Sequence, residues 1–242
     1  MKEWRADLHI HTCLSPCAEK EMTPAAVARE ACRKGLHLIA ICDHNSVENV
    51  AAVRCAAKDT GLAVVGGMEI CTREEVHVLG IFEDDRGLGS AQEVVYKNLH
   101  GKNEPETFGE QVVMNERDEV VRHNDRLLIG ATDLSLKETV QIIHDLGGIA
   151  IASHIDRPSY SVISQLGFIP ADLGLDGVEV CSEGMPDIPE NLAVVKSSDA
   201  HRPEDIGSRY TRFLLERPTV AEIGMALHRT QGRRVLAVME EK

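Results

Sequence analysis

Ala6-Asp7-Leu8-His9-Ile10-His11 alternates apolar and polar side chains. In an extended strand, side chains two apart share a face, so His9 and His11 project together while Leu8 and Ile10 pack on the other side. Two imidazoles converging in this way can chelate one metal ion. The same pattern recurs along the chain. The apolar run Leu38 to Cys42 runs into Asp43-His44, and the run Val64 to Met68 into Glu69. Ile149 to Ser153 is followed by His154, and Ala193 to Lys196 by Asp199-Ala200-His201, another pair on one face. His77 sits in the short run Glu75-Val76-His77-Val78-Leu79. Strands that end in metal-ligand residues are the pattern of a barrel, whose active site is built at the C-terminal ends of its strands.

The segments between these runs carry helix signals. Thr23-Pro24 is an N-cap followed by proline at the first helical position, and Gly35 stops that helix. Ser46 is expected to cap a helix ending near Gly61, and Ser135-x-x-Glu138 and Thr219-x-x-Glu222 are expected capping boxes. Further strands are predicted over 62–65, 76–82, 177–181, 192–197 and 234–238. Repeated strand–helix units imply a mostly parallel sheet with helices outside, and about seven of them favour an α/β barrel over an open doubly wound sheet. Residues 83–131 break the rhythm, with a predicted helix near Ser90 to His100 and a hairpin in QVVMNERDEVV turning near Asn115 to Asp118. This stretch reads as an insertion that covers or shapes one mouth of the barrel. His37, His100, His123, His144 and His228 lie away from strand C-terminal ends and are assigned to structure or surface.

The 242 residues are 43% hydrophobic and 27% charged, the composition of an ordinary globular protein expected to form one domain over 1–242. No apolar run approaches the roughly 20 residues of a membrane span. The beginning MKEWRADLHIHT has no apolar signal region, so a cytoplasmic location is expected. The net charge of −13 does not attract polyanions, and one Trp, three Tyr and four Phe are few for a stacking platform. The expected partner is therefore a small phosphorylated molecule, with neither long nucleic acid nor membrane. Seven cysteines, an odd number, read as buried small hydrophobes. The Cys13/Cys17 C-x3-C pair has no second pair to complete a four-cysteine zinc site.

His9-Ile10-His11, Cys42-Asp43-His44-Asn45, Gly67-Met68-Glu69, Ser153-His154 and Ser198-Asp199-Ala200-His201, in this order, resemble the PHP (polymerase and histidinol phosphatase) family. The resemblance runs from about Arg5 to Gly207 and implies a distorted seven-stranded α/β barrel, a (β/α)7 fold. It also implies two to three divalent metals (zinc, manganese or iron) and hydrolysis of phosphate esters. Carried over residue by residue, His9 and His11 hold one ion with Asp199 and a bridging Glu69. Glu69, His77 and His154 hold a second. His44 and His201 hold a third, with a ligand from the loop after the first motif. Family members often place aspartate or histidine in that loop. Here Glu21 is the first choice, then Glu19, then Cys17. Ile155 follows His154 where proline is common in the family.

Such ions would make the site locally positive, draw in a phosphate, and bring water to hydroxide near neutral pH. Asp43 is expected to orient a ligand. Arg157 is the candidate for gripping a phosphate oxygen, the alternative being a surface pair with Asp156. Arg202 and the Pro158-Ser159-Tyr160 stretch are weaker candidates for substrate contacts. The leading expectation is a metal-dependent phosphoesterase acting on a small molecule or nucleotide. An amidohydrolase-type metal-dependent hydrolase and a non-catalytic metal-binding regulatory module stand as alternatives.

Overall fold

A computed structural model describes residues 1–182 and 187–240. The strands are β1 (Lys2–Ile10), β2 (Leu38–Ile41), β3 (Ala63–Cys71), β4 (His77–Phe82), β5 (Val112–Met114), β6 (Val120–His123), β7 (Ile149–Ala152), β8 (Gly177–Glu179), β9 (Ala193–Val195), β10 (Arg209–Leu215) and β11 (Arg234–Glu240). The helices are α1 (Pro24–Arg33), α2 (Val50–Ala56), α3 (Asp85–Asn98), α4 (Pro105–Phe108), α5 (Leu136–Asp145), α6 (Val162–Leu166) and α7 (Val220–Leu227). Among the described residues no helix is long and apolar enough to cross a membrane.

One sheet runs β11-β10-β1-β2-β3-β4-β7-β8-β9. After β9 the chain returns to β1, where His11 N donates to Ala200 O at 3.0 Å and Ile10 bridges Ala200 in parallel. The seven strands from β1 to β9 in this order therefore form a nearly closed barrel, the expected distorted seven-stranded α/β fold. β10 and β11 form an antiparallel strip on the edge of β1 that faces β9, where Lys196 N donates to Thr211 Oγ1 at 2.9 Å and Thr211 Oγ1 to Lys196 O at 2.8 Å.

The distortion is β4, which runs antiparallel to both β3 and β7. Its link from β3 is a tight turn, with Thr72 N donating to Val76 O at 2.9 Å, far too short for a crossover helix. Reversal puts the N-terminal end of β4 on the rim where the parallel strands end: His77 is in register with Cys71.

Alternate residues of each strand line the barrel. Leu8, Ala40, Val65, Leu79, Ile151 and Val195 form an interior apolar layer with Phe213 and α7 residues such as Ile223. The opposite faces, including Ile39, Ile41, Met68 and Val78, pack with Val27, Val53 and Val140 of the outer helices. Both faces of the central strands are buried, as parallel sheets require.

β1 departs from simple alternation. Asp7 pairs with Ile39 but Ile10 with Ile41, so β1 spends three steps where β2 spends two. This bulge puts Leu8 in the interior layer and Ile10 in the outer one, so the two do not share a face as expected. It also turns His9 and His11 inward together at the mouth, a known use of bulges beside active sites.

The insertion carries the expected helix, begun earlier as α3, and the expected hairpin, β5–β6. Leu99, Val113 and Leu128 form a small core with Leu14, and Val112 N donates to Cys13 O at 3.0 Å. The insertion thus braces the loop after β1. Gly109 (φ +102°) lies so close to that loop that a Cβ would meet Pro16 O at 2.1 Å.

Some local expectations change. α2 starts after Asn49, and Ser46 Oγ instead bonds Tyr96 Oη at 2.8 Å. The Ser135 box is complete, whereas Glu222 turns its carboxylate to Glu216 N and Arg233 rather than back to Thr219. β10 was not anticipated. All seven cysteines are free, but only Cys13, Cys42 and Cys71 are buried.

Candidate metal centre

A polar layer sits directly above the apolar layer of the barrel. By strand parity, Glu69 follows Gly67 on the interior face of β3, where a Cβ on Gly67 would lie 2.7 Å from Cys42 Sγ. Glu179 on β8 and His77 on β4 share that face, and His9, Glu69, His77, His154, Glu179 and Asp199 are all buried.

Glu69 is the hub. Its Oε1 lies 2.9 Å from His77 Nδ1, 3.0 Å from His154 Nε2 and 3.5 Å from His9 Nε2. Its Oε2 lies 3.0 Å from His44 Nδ1 and 3.4 Å from His11 Nε2. His9 Nε2 and His11 Nε2 approach to 3.0 Å, and Asp199 Oδ1 stands 3.3 and 3.1 Å from them. His201 stacks on His11 with centroids 4.2 Å apart. The sequence-predicted residues His9, His11, His44, Glu69, His77, His154, Asp199 and His201 therefore meet at one rim. His44 stands nearer the hub than the resemblance implies, grouping with Glu69 and His77 as well as with His11 and His201.

The donor set can be tested against an ion. Ligand atoms 2.0–2.1 Å from a tetrahedral centre stand about 3.3–3.4 Å apart. The separations among His9 Nε2, His11 Nε2 and Asp199 Oδ1 given above, 3.0–3.3 Å, approach that spacing. Imidazole nitrogens with carboxylate oxygens are the ligands that zinc, iron and manganese accept. The residues present fit divalent cations.

The electrostatics point the same way. Burial alone would lower the His9 pKa, but Asp199, Glu179 and Glu69 together hold it well above the usual value. Burial likewise opposes the shift at His44, which Cys17 and Glu69 raise. Burial opposes ionisation of Glu69 and Asp199, yet the surrounding imidazoles keep both well below the usual carboxylate range. His77 goes the other way, lowered to about 4, because burial outweighs the pull of Glu69. The acids thus hold positive charge in the cluster, which protons or metal ions can supply.

Surrounding groups fix the ring orientations. Asp43 accepts from Thr12 N at 2.6 Å, Thr12 Oγ1 at 2.7 Å and Ser15 Oγ at 2.7 Å; Ser15 Oγ then meets His11 Nδ1 at 2.8 Å. Glu179, missed in the sequence, lies 3.2 Å from His9 Nδ1. An acid inside the apolar run Gly177–Cys181 was the available signal, since a buried carboxylate needs a partner. Asp7, whose pKa burial raises to about 6, accepts from Ser198 N at 2.9 Å and Gly207 N at 3.0 Å and pins the loop bearing Asp199 and His201. His154 (φ +29°) and Asp199 (φ +53°) both adopt left-handed backbone, a conformation that histidine and aspartate reach more readily than most residues.

Glu21, the first choice for the loop ligand, is exposed and belongs to no donor cluster. Its neighbour Met22 is fully buried, which turns Glu21 outward. Glu19 pairs with Arg202 at 3.1 Å. Cys17 is the loop residue that arrives: its Sγ lies 3.1 Å from His201 Nε2. Desolvation opposes ionisation of its thiol, but His44 and His201 draw its pKa down to about 5.

Arg157 does not pair with Asp156, whose carboxylate accepts from Cys181 N and Ser182 N. A turn closed by Arg157 N and His154 O at 2.9 Å folds it back over the cluster, where its guanidinium meets Asp199 Oδ2 at 2.5 Å. It lines a cavity of about 150 Å³ with Glu69, His77, His154, Tyr160 and the insertion's Ile129. Tyr160 stacks on His77 at 4.7 Å. Of the remaining histidines, His144 and His228 flank Asp176 and His100 pairs with Asp133, all away from this rim.

A barrel mouth that gathers imidazoles around a shared carboxylate has the ligands that a metal-dependent hydrolase uses. The family is then plain: residues 7–164 match the PHP domain and residues 190–231 the PHP-associated segment, and the chain belongs to the PHP family. It is 30% identical to an uncharacterized protein of Methanocaldococcus jannaschii over 203 residues, 79% of this chain and 90% of that one. The structure of a lesion-specific endonuclease, endonuclease Q of Pyrococcus furiosus, matches 98% of this chain with a TM-score of 0.75 at 18% identity. A second endonuclease Q structure, holding a 27-mer duplex with an abasic lesion at its active site, matches 98% with a TM-score of 0.72 at 20% identity. This chain spans only 58% and 59% of those two proteins.

These structures overturn the expectation of a small phosphorylated partner that excluded long nucleic acid. That endonuclease Q, whose fold this chain shares, holds a duplex at its own active site. Net charge is a whole-molecule quantity, whereas recognition at a rim depends on local charge, which bound cations invert.

Proposed function

We propose that this chain hydrolyses a phosphodiester bond of nucleic acid, with divalent ions held by the Glu69 cluster. The observation that carries the reading is the division of the Glu69 oxygens among five imidazoles, with Arg157 folded over the same cavity. The nucleic-acid substrate is supported by the barrel shared with endonuclease Q. In this reading His9, His11, Asp199 and Glu69 hold one ion, and Glu69, His77 and His154 a second. His44 and His201 serve a third.

Bound ions would supply Lewis acidity and a water acidic enough to attack phosphorus near neutral pH. The chain's own residues do the rest. Glu69 keeps the ligand rings converged. Asp43, acting through Ser15, and Glu179 fix the His11 and His9 rings with their Nε2 atoms toward the centre. Arg157 exchanges its contact with Asp199 for a phosphate oxygen, which its planar fork suits. Tyr160, partly exposed beside Arg157, offers a face to the sugar or base next to the scissile phosphate.

The test is cleavage of labelled single- and double-stranded oligonucleotides, with and without an abasic site, by metal-depleted protein resupplied with zinc, manganese or iron. Metal-dependent cleavage that His9→Ala abolishes is expected. Cleavage of amides or lactones, with none of any oligonucleotide, would reject the reading in favour of an amidohydrolase-type reaction.

A further inference from the structure

Cys17 lies outside the oxygen and nitrogen donor set described above. Glu19 N donates to His201 O at 2.9 Å and Cys13 N to Met22 O at 2.8 Å, which ties the loop across the end of β1 and against the last motif. The tie sets Cys17 Sγ 3.1 Å from His201 Nε2. A cysteine alone would mean little, but its partner His201 belongs to a group of three converging imidazoles. Ligand atoms of His11, His44 and His201 all lie within 4.8 Å of one another.

The His201 ring is also oriented for ligation. Its Nδ1 donates to Asp199 O at 2.9 Å, which leaves Nε2 as the ring nitrogen that faces the sulfur. A backbone carbonyl behind a ring nitrogen is the usual support of a metal-binding histidine.

We propose that Cys17 supplies a thiolate to the third ion, completing with His44 and His201 a mixed sulfur–nitrogen site that prefers zinc-like ions over magnesium or calcium. The inference rests on the metal-dependent reading above and assigns the ligand which that reading leaves open. On binding, the proton between Cys17 Sγ and His201 Nε2 leaves to solvent and the sulfur forms one metal–sulfur bond; no oxidant or reductant is involved. Soft thiolate ligands select against hard cations that prefer oxygen. Four of the other six cysteines are engaged elsewhere or turned to solvent. Cys13 donates to Val112 O, Cys42 to Leu8 O and Cys71 to Thr72 O within the fold, and Cys32 is exposed on α1.

Cobalt(II) titration of the metal-depleted chain tests this by absorption spectroscopy, with no reliance on turnover. Wild type should develop the near-ultraviolet sulfur-to-cobalt charge-transfer band together with the visible ligand-field bands of cobalt. Cys17→Ser should lose the charge-transfer band and keep ligand-field bands from the remaining sites, while Cys32→Ser keeps both. Alkylation of Cys17, followed by mass spectrometry of peptides, should slow at least tenfold when zinc is bound. A charge-transfer band that survives Cys17→Ser, or cobalt bound with no such band in a wild type that still cleaves oligonucleotides, overturns the thiolate ligand and leaves the proposed function standing. No cobalt binding at all overturns both.

Discussion

Replacing Arg157 by alanine isolates the group that handles substrate rather than metal. In the free protein the guanidinium meets Asp199 Oδ2 at 2.5 Å and lines the 150 Å³ cavity beside Glu69 and His77. Once cations neutralise Asp199, the fork is free to hold a phosphate oxygen. A hydrogen bond to a charged group stabilises by about 1.5–3 kcal/mol. If it forms fully in the transition state, its loss lowers kcat/KM by roughly 10- to 150-fold. Arg157→Lys keeps the charge but not the paired donors and should fall between the two. The assay is initial-rate cleavage of the best oligonucleotide from the substrate panel, with metal content measured on each variant. Bound metal should be unchanged in Arg157→Ala, because the side chain lies over the donor cluster without belonging to it. A kcat/KM within twofold of wild type, or a fall wholly matched by lost metal, would refute the phosphate contact.

Other consequences follow from the same geometry. Glu179→Gln and Asp43→Asn should each weaken metal binding by about 10- to 100-fold, measured by competition with a chromophoric chelator, because they lose the groups that orient His9 and His11. Saturation at about 100 times Kd should stabilise the fold by about 2.7 kcal/mol and raise Tm by roughly 5–11 °C in calorimetry, reversed by chelator. Phe213→Ala removes a fully buried ring where β10 meets the interior layer, and urea denaturation should register a loss of about 3–5 kcal/mol.

Much of this architecture was legible because its signals are local. His9 and His11 are two apart, and strand parity joins them whatever the rest of the chain does. Asp43-His44, Glu69 and His154 each close an apolar run, so strand ends alone bring them to one rim. His77 fits only once β4 is seen to be reversed, since it stands at the beginning of its strand. What stayed hidden depends on contacts between distant segments. The bulge in β1 is a mismatch with β2 that neither strand reveals alone. Glu179 is a single acid in an apolar run, and its partner is 170 residues away in sequence. Glu21 is the first choice for the loop ligand, but the burial of Met22 beside it leaves Glu21 in solvent, while Cys17 reaches His201. β10 carried a usable signal: apolar residues recur in RYTRFLL between Gly207 and Pro218. The expectation against long nucleic acid shows the limit of net charge as a guide to a site that gathers cations.

Metal stoichiometry, determined by elemental analysis of the reconstituted chain and of Glu69→Gln, tests the central claim most directly. The account predicts roughly two to three divalent ions per wild-type chain and at least one fewer when the shared carboxylate becomes an amide, with the chain still folded. A wild type that binds no divalent ion, or a Glu69→Gln chain that keeps the full complement, would contradict it.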